Sequence, residues 1–477
     1  MPVTELCLLS AVELSRRVSS REVSCVEVME AHLRQIDRLN PMVNALVTVM
    51  PEQAMERARA ADAALARGEC WGPLHGLPVA IKDNVPTRGI RTTSGSPILA
   101  DHVPSIDGLV WERLRDAGAI MVAKSNMPEF GAGSHTFNPV FGTTFNPYDL
   151  TRSAGGSSGG SGAALAARMV PIAQGGDTGG SLRNPGNFNN VVGMRCSPGR
   201  VPNWPAPLGW SPISVPGPMT RTVADTALML TVMAGPDDRC PISLPEPGCL
   251  FAAPLERDFR GVRVAWSKDL GIYPVDPAVT RVLESRRQVF ADLGCEIEEA
   301  HPDFATADEI FTTIRAWIFA ASHEARLREH RALIKDSIVW NTEEGLALSG
   351  RDVSRAEQQR TELYQSVNEF LREREFLLLP VNQVPPFDAS IEYPTEIAGQ
   401  KMRHYFDWMG TCAAITITGL PAISVPCGFT EDGLPVGIQI VGRHGKDFDV
   451  LQLAYAFEQA TLVNERLPAI VVASGAA

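Results

Sequence analysis

The chain has 477 residues, 44% of them hydrophobic and 21% charged, proportions that exclude a disordered or fibrous polypeptide. Its 43 Lys and Arg against 55 Asp and Glu give a formal net charge of −12, which argues against general binding to nucleic acid or an anionic membrane. Nine scattered cysteines without a CxxC pair fit reduced thiols, so a cytoplasmic location is expected. The amino-terminal stretch lacks a basic segment before its short apolar run, and no apolar run reaches the roughly 18–20 residues of a membrane span. A soluble protein is expected.

Residues 1–70 read as a helical segment. Ser10–Glu13 and Ser24–Glu27 each fit a capping box. Val28, Met29, His32, Leu33, Ile36 and Leu39 then keep a helical spacing, and Pro51 opens an Ala-rich helix ending near Gly68. Over 71–235 the pattern becomes strand, loop, helix, strand: strands at 77–81 and 119–123, a helix at 110–117 between them, and an apolar helix at 222–234 stopped by Gly235-Pro236. The Pro/Gly-rich stretch 240–254 reads as a linker or long surface connection. A further α/β unit follows, with strand 262–266, helix 277–293 and strand 295–299. Helices at 306–334 and 354–374, strands at 376–380, 422–426 and 436–441, and a helix at 448–459 complete the chain. Strands alternating with helices throughout predict an α/β protein, a central mixed twisted sheet covered by helices on both faces, in one domain spanning 1–477.

The stretch SAGGSSGGSGAALAARMVPIAQGGDTGGSLRNPG (153–186) carries the chemistry. An isolated Gly/Ser run reads as a flexible tether. Here, however, 162–168 is helix-forming and 169–173 is a compact apolar strand. A helix of about 9 residues rises roughly 13 Å, and a strand of about 5 residues returns roughly 16 Å. The loops before the helix and after the strand therefore meet at the carboxyl edge of the strand, where open α/β sheets place their sites. Ser157 and Ser181, 24 residues apart, become candidate neighbours. Lys82 ends another strand, at the same edge if the two are parallel. A lysine at a strand end is ordinarily a solvated charge, but buried without a carboxylate it loses its proton near neutral pH. Asp83, next in the chain, points to the opposite face.

At these residues the chain resembles the amidase signature family of serine hydrolases. The likeness runs through GLPVAIKDN (76–84), MVAKSNMPEF (121–130), FGTTFNPYD (141–149), AGGSSGGSGAALAA (154–167), GGDTGGSLRNP (175–185) and GLPAISVPCGF (419–429). It implies the fold of that family, with 71–235 as the catalytic core, 300–410 as a variable substrate-pocket region, and no metal or cofactor. It also implies a Ser–cis-Ser–Lys triad of Ser181, Ser157 and Lys82, with the Gly156–Ser157 peptide cis. In that arrangement Ser181 attacks the carbonyl, and Ser157 passes its proton to neutral Lys82. Backbone N–H groups around Thr178, Gly179 and Gly180 form the oxyanion hole, while Ser158, Asp177 and Arg183 hold the loops by hydrogen bonds. The implied partner is a small-molecule amide, carbamate or ester, with no nucleic acid and no membrane, for a monomer or homodimer. Two departures stand beyond the triad: Phe188-Asn189-Asn190 where the family often has Cys-Gly after the phenylalanine, and Arg195-Cys196 where Lys-Pro or Arg-Pro is common.

Other readings are weaker. The G-x-S-x-G match at Ser157 or Ser158 follows a turn-like stretch rather than a strand, and His301, His323, His330, His404 and His444 lie in no recognisable context. Ser161 stands where a phosphate-binding loop needs lysine, and no HExxH or zinc spacing is present. The serious alternative lies within the family, the glutaminase subunit of a tRNA-dependent amidotransferase. Such subunits place an aspartate about ten residues before the GLPA motif to hold the amino group of glutamine. Met409 occupies that position here, and Asp407 is offset by two. Phe304, Phe311, Trp317, Phe319, Trp340, Tyr364, Tyr405, Phe406 and Trp408 fall in or near the variable region, most of them as expected helix core. Any that line the pocket favour an aryl or bulky apolar amide, an anilide or a carbamate (urethane), with esterase side activity.

Overall fold

The computed structural model describes residues 5–472. Residues 1–4, part of the stretch read above for a secretory signal, lie outside the described residues, as do 473–477. No helix among the described residues is long and apolar enough to cross a membrane.

The amino-terminal helices start where their caps place them. Ser24 Oγ accepts the Glu27 N–H at 3.1 Å and Glu27 Oε2 accepts the Ser24 N–H at 2.8 Å, a complete capping box opening helix Cys25–Val43. At Ser10 only half the box forms. Its Oγ accepts the Glu13 N–H at 3.1 Å, but the Glu13 carboxylate turns to Arg16 and Arg17 at 2.9 and 2.7 Å. Pro51 opens helix Pro51–Ala66.

Among the described residues, eleven strands form one sheet: β1 Leu46–Val49, β2 Pro78–Lys82, β3 Ile120–Ser125, β4 Ile172–Asp177, β5 Val192–Arg195, β6 Val215–Thr220, β7 Arg263–Trp266, β8 Glu296–Glu299, β9 Phe376–Pro380, β10 Ala422–Phe429 and β11 Pro435–Gly442. Their spatial order is β1-β3-β2-β4-β6-β5-β10-β11-β9-β7-β8. Pairs β2/β3, β2/β4, β7/β8 and β7/β9 are parallel and the rest antiparallel, so the sheet is mixed as expected. The period of two along β9 explains its run of apolar residues. Phe376 and Leu378 enter one hydrophobic cluster, Leu377 and Leu379 another on the opposite face, and both faces are buried under helices. Strands before and after 240–254 belong to this one sheet. The connection itself is tied down by buried Gly248 and Phe251 within the short helical turn Gly248–Ala252.

Several elements differ from expectation for local reasons. Helix 277–293 is broken into Pro277–Glu284 and Arg287–Asp292, where Ser285 Oγ bonds back to the Val282 carbonyl at 2.7 Å and Arg286 Nε reaches the Cys427 carbonyl at 2.7 Å. Helix Asp336–Ala347 is absent from the sequence reading. It packs on Ala307–His330 through Gly345, where any Cβ would lie 1.9 Å from the Ala316 carbonyl oxygen. Helix Gly350–Glu373 begins four residues earlier than expected because Ser349 and Asp352 close a capping box with aspartate in the glutamate position. The helix and strand of the Gly/Ser stretch lie at Gly159–Ala166 and Ile172–Asp177, offset by about three residues from the expected 162–168 and 169–173.

Candidate active site

Parallel β2 and β4 bring Lys82 and Asp177, their last residues, to one edge of the sheet. The Gly/Ser loop enters from the side. Gly160 lets helix Gly159–Ala166 press its backbone against the loop after β3, since a Cβ there would lie 2.3 Å from Asn126 N. That close approach sets Ser157 and Ser158 at the amino end of the helix, over Lys82. The Gly156–Ser157 peptide is cis, as the resemblance implied.

Lys82 is 2% exposed, and its Nζ lies 2.7 Å from Ser157 Oγ and 3.0 Å from Ser158 Oγ. No carboxylate pairs with it among the described residues. Burial pulls its ammonium down to about 7, with the more distant Asp177 acting against the shift. Gln174 Oε1 accepts the Lys82 N–H at 3.3 Å. Asp83 turns away as expected, its carboxylate accepting the Thr93 N–H at 3.1 Å. A second buried lysine, Lys124, is also lowered to about 7 by burial, but donates to the Val85 carbonyl and Thr87 Oγ1, each at 2.6 Å. It braces the turn that follows Lys82.

The two Gly/Ser loops meet through their backbones, for Ser158 N–H donates to the Ser181 carbonyl at 3.2 Å. The Ser181 side chain makes no hydrogen bond among the described residues, and the residue is 7% exposed. Asp177 organises the second loop. Its carboxylate accepts the N–H of Gly180 at 2.8 Å and of Leu182 at 3.2 Å, and pairs with Arg183 at 3.0 Å and Arg195 at 3.3 Å. Burial opposes its charge, but the two guanidiniums and the Gly180 N–H outweigh that and hold the carboxyl well below the usual range. Gly180 sits at φ +117°, a conformation that favours glycine, and its N–H is taken by Asp177. The N–H groups of Thr178, Gly179 and Ser181 make no hydrogen bond among the described residues. Arg183 further donates to Gln439 Oε1 at 2.5 Å, Thr416 Oγ1 at 2.7 Å and the Cys412 carbonyl at 3.2 Å. Asp177→Asn would leave two buried guanidiniums short of their counterion. It is expected to lower stability by about 3–5 kcal/mol, read as a shift of the urea unfolding midpoint.

Lys82, Ser157, Asp177 and Thr178 line a cavity of about 280 Å³. Ser158, Gly179, Gly180, Ser181 and Arg183 are not part of this lining. Gly131 approaches from the other side at φ +75°, where a Cβ would stand 3.4 Å from Ser157 Oγ. The departures noted above serve the same loops. Asn189 Nδ2 donates to the Ala154 carbonyl at 2.7 Å, and Arg195 donates to the Asp177 carbonyl at 2.8 Å. Of the aromatic residues singled out from the sequence, only Phe319 lines the cavity, joined by Phe130 and Trp204. Phe311 and Met409 press on Gly179, while Phe304 and Trp408 are fully buried core. Sequence reasoning missed Gln174, the Phe130–Gly131 corner and Arg315. Only Gly131, in the run EFGAG, carried a signal. Of the five histidines considered, only His323 lines the cavity, and none is hydrogen-bonded to Ser157, Ser158 or Ser181.

The protein-family model described as Amidase matches residues 27–451. An acylamidase of Rhodococcus erythropolis is 36% identical over 465 residues, covering 97% of each chain. A glutamyl-tRNA(Gln) amidotransferase subunit from Moorella thermoacetica is 36% identical over 495 residues, covering 98% of this chain and 100% of its own. Among solved structures, a bacterial aryl acylamidase of the amidase signature family superposes with a TM-score of 0.91 at 29% identity, covering 98% of this chain and 99% of its own. A 6-aminohexanoate cyclic dimer hydrolase in complex with its substrate gives 0.89 at 25% identity, covering 98% and 100%. With the family model spanning most of its length, the same fold and relatives of this similarity, the chain belongs to the amidase signature family and is an amide-hydrolysing enzyme.

Proposed function

We propose that the protein is a stand-alone serine amidohydrolase that cleaves small amides through an acyl-enzyme, with Ser181 as nucleophile, Ser157 as proton relay and neutral Lys82 as base. The observation that carries this reading is the buried Lys82 amine, paired with no carboxylate among the described residues and 2.7 Å from Ser157 Oγ. An amine with a pKa of about 7 is half unprotonated at neutral pH, and its lone pair then accepts the Ser157 proton. Ser157 takes the proton of Ser181 as the latter's Oγ bonds to the substrate carbonyl carbon. The carbonyl oxygen gains the negative charge. Because Asp177 holds the Gly180 N–H, the donors left in this stretch to meet that charge are those of Thr178, Gly179 and Ser181. The proton returns through Ser157 to the leaving nitrogen, the C–N bond breaks, and water repeats the sequence on the acyl-Ser181 ester.

The same fold serves subunits that release ammonia from glutamine, so the pocket has to decide. Met409, which stands at the sequence position of the amino-group aspartate, packs on Gly179 and accepts the Ser134 hydroxyl at 2.8 Å. Asp407 is consumed by the Arg403 and His404 N–H groups at 2.7 and 3.0 Å. Asp177, the carboxylate on the cavity lining, is paired with Arg183 and Arg195. Among the described residues, the cavity lining offers a glutamine ammonium no available counterion. The Phe130, Phe319 and Trp204 rings of the cavity, and the similarity to an aryl acylamidase, support anilides and aryl carbamates as substrates, with esters turned over as well. The test is product release from an anilide, a primary aliphatic amide, an aryl carbamate and free glutamine. The expected result is anilide or carbamate turnover without glutaminase activity. Turnover confined to glutamine would favour the amidotransferase reading.

A further inference from the structure

One charged side chain of the cavity has no task in the chemistry above. Arg315, on helix Ala307–His330, lines the same cavity as Lys82 and Ser157 and is 5% exposed, yet it forms no ion pair among the described residues. Its Nε and Nη2 donate to the Tyr405 hydroxyl at 3.1 and 2.5 Å, and that hydroxyl passes its own proton toward Asn341 Oδ1 at 3.2 Å. Nη1 makes no hydrogen bond among the described residues. Burial pushes the Tyr405 phenol up from its usual range, so it stays neutral and cannot serve as counterion. Glu392, whose charge acts on Tyr405, is itself paired with Lys335 at 2.6 Å. The faces of Phe319 and Tyr405, 4.5 and 5.3 Å from the guanidinium carbon, hold the fork in place and offset part of its charge. A buried cation without an anion is costly, and a guanidinium left with a free N–H edge on a cavity is matched to a planar anion entering that cavity.

We propose that Arg315 binds a carboxylate of the substrate, so that the preferred substrates are small amides bearing a free carboxylate on the acyl or the amine half and no free amine. The proposal rests on the amidohydrolase reading above and narrows its substrate class. Asp177 being spent on Arg183 and Arg195, the cavity lining offers a fixed positive charge and no available negative one.

Two matched pairs separate the halves. Succinic mono-4-nitroanilide against butyric 4-nitroanilide places the charge on the acyl side, and N-acetyl-4-aminobenzoate against N-acetyl-4-toluidine places it on the amine side. Within one enzyme preparation the ratio of kcat/KM for acid over neutral partner is independent of the fraction folded, so a poorly folding variant still reports. The expected result is a ratio of at least about tenfold for one pair in the wild type. That ratio should fall to about one in Arg315→Gln and recover in part in Arg315→Lys. A ratio near one for both pairs in the wild type, or a preference that Arg315→Gln leaves intact, would overturn the proposal and leave Arg315 as a brace for Tyr405. If no member of the panel is hydrolysed in a way that Ser181→Ala abolishes, the amidohydrolase reading fails and the proposal falls with it.

Discussion

Ser181→Ala is expected to lower kcat/KM on an anilide substrate by on the order of 10⁴–10⁶-fold, with the fold intact. The loss is large because in the proposed mechanism this hydroxyl supplies the bond that forms, and no neighbouring group replaces it. Ser157 is held by Lys82, whose Nζ lies 2.7 Å from its Oγ. The change costs little stability, since the Ser181 side chain makes no hydrogen bond among the described residues and its loop is tied by main-chain contacts to Ser158 and by the Asp177 carboxylate to Gly180 and Leu182. A thermal unfolding midpoint within a few degrees of wild type, alongside the collapse in turnover, is the expected pair of observations.

Lys82→Met is expected to cost on the order of 10³–10⁴-fold in kcat/KM, and the pH profile shows why. In the proposed mechanism, protonation of Lys82 below about 7 removes the base, so wild-type kcat/KM is expected to fall about tenfold per pH unit on the acid side and to be level above it. The stability linkage has its own sign. The folded-state pKa of about 7 lies below the ordinary 10.5, so the unfolded chain binds the extra proton between those values. This group therefore makes the fold more stable as pH rises from about 7 to 10.5, and contributes a constant penalty below 7. Lys82→Met removes that penalty, so it should lose activity without losing stability at neutral pH. Lys124 adds a stability dependence of the same sign, but it is not part of the cavity lining and bonds the Val85 carbonyl and Thr87 Oγ1 rather than a serine of the Gly/Ser loops, so Lys124→Met should keep the acid limb of the rate profile.

The neighbourhood of Lys82 and Ser157 was more legible in the sequence than the boundaries of the fold. The meeting of Lys82 with Ser157 was legible because glycine, serine and a strand-end lysine at fixed spacing are unusual, and because parallel strands bring their carboxyl ends to one edge, whereas Ser158 and Asp177 were expected only through the family resemblance. Helix Asp336–Ala347 was not legible, since its defining feature is the absence of a side chain at Gly345, where two backbones meet. Helix Gly350–Glu373 was found but started late, because aspartate rather than glutamate closes its box. Arg315 gave no local sign at all. On a helix whose sequence carries several other charges, nothing separates the arginine turned into a cavity from those facing water until the Tyr405 and Phe319 contacts are seen. The Gly180 N–H, expected among the oxyanion donors, is engaged by Asp177, a competition that spacing alone does not display.

The most direct test of the account is to find which serine carries the acyl group. A 4-nitrophenyl carbamate, whose acyl-enzyme is hydrolysed slowly, would be quenched in acid during turnover and the protein analysed by intact mass and peptide mapping. The account predicts one carbamoyl group per chain, on the peptide bearing Ser181, and none in Ser181→Ala. A carbamoyl group on Ser157, or an adduct that persists in Ser181→Ala, would contradict it.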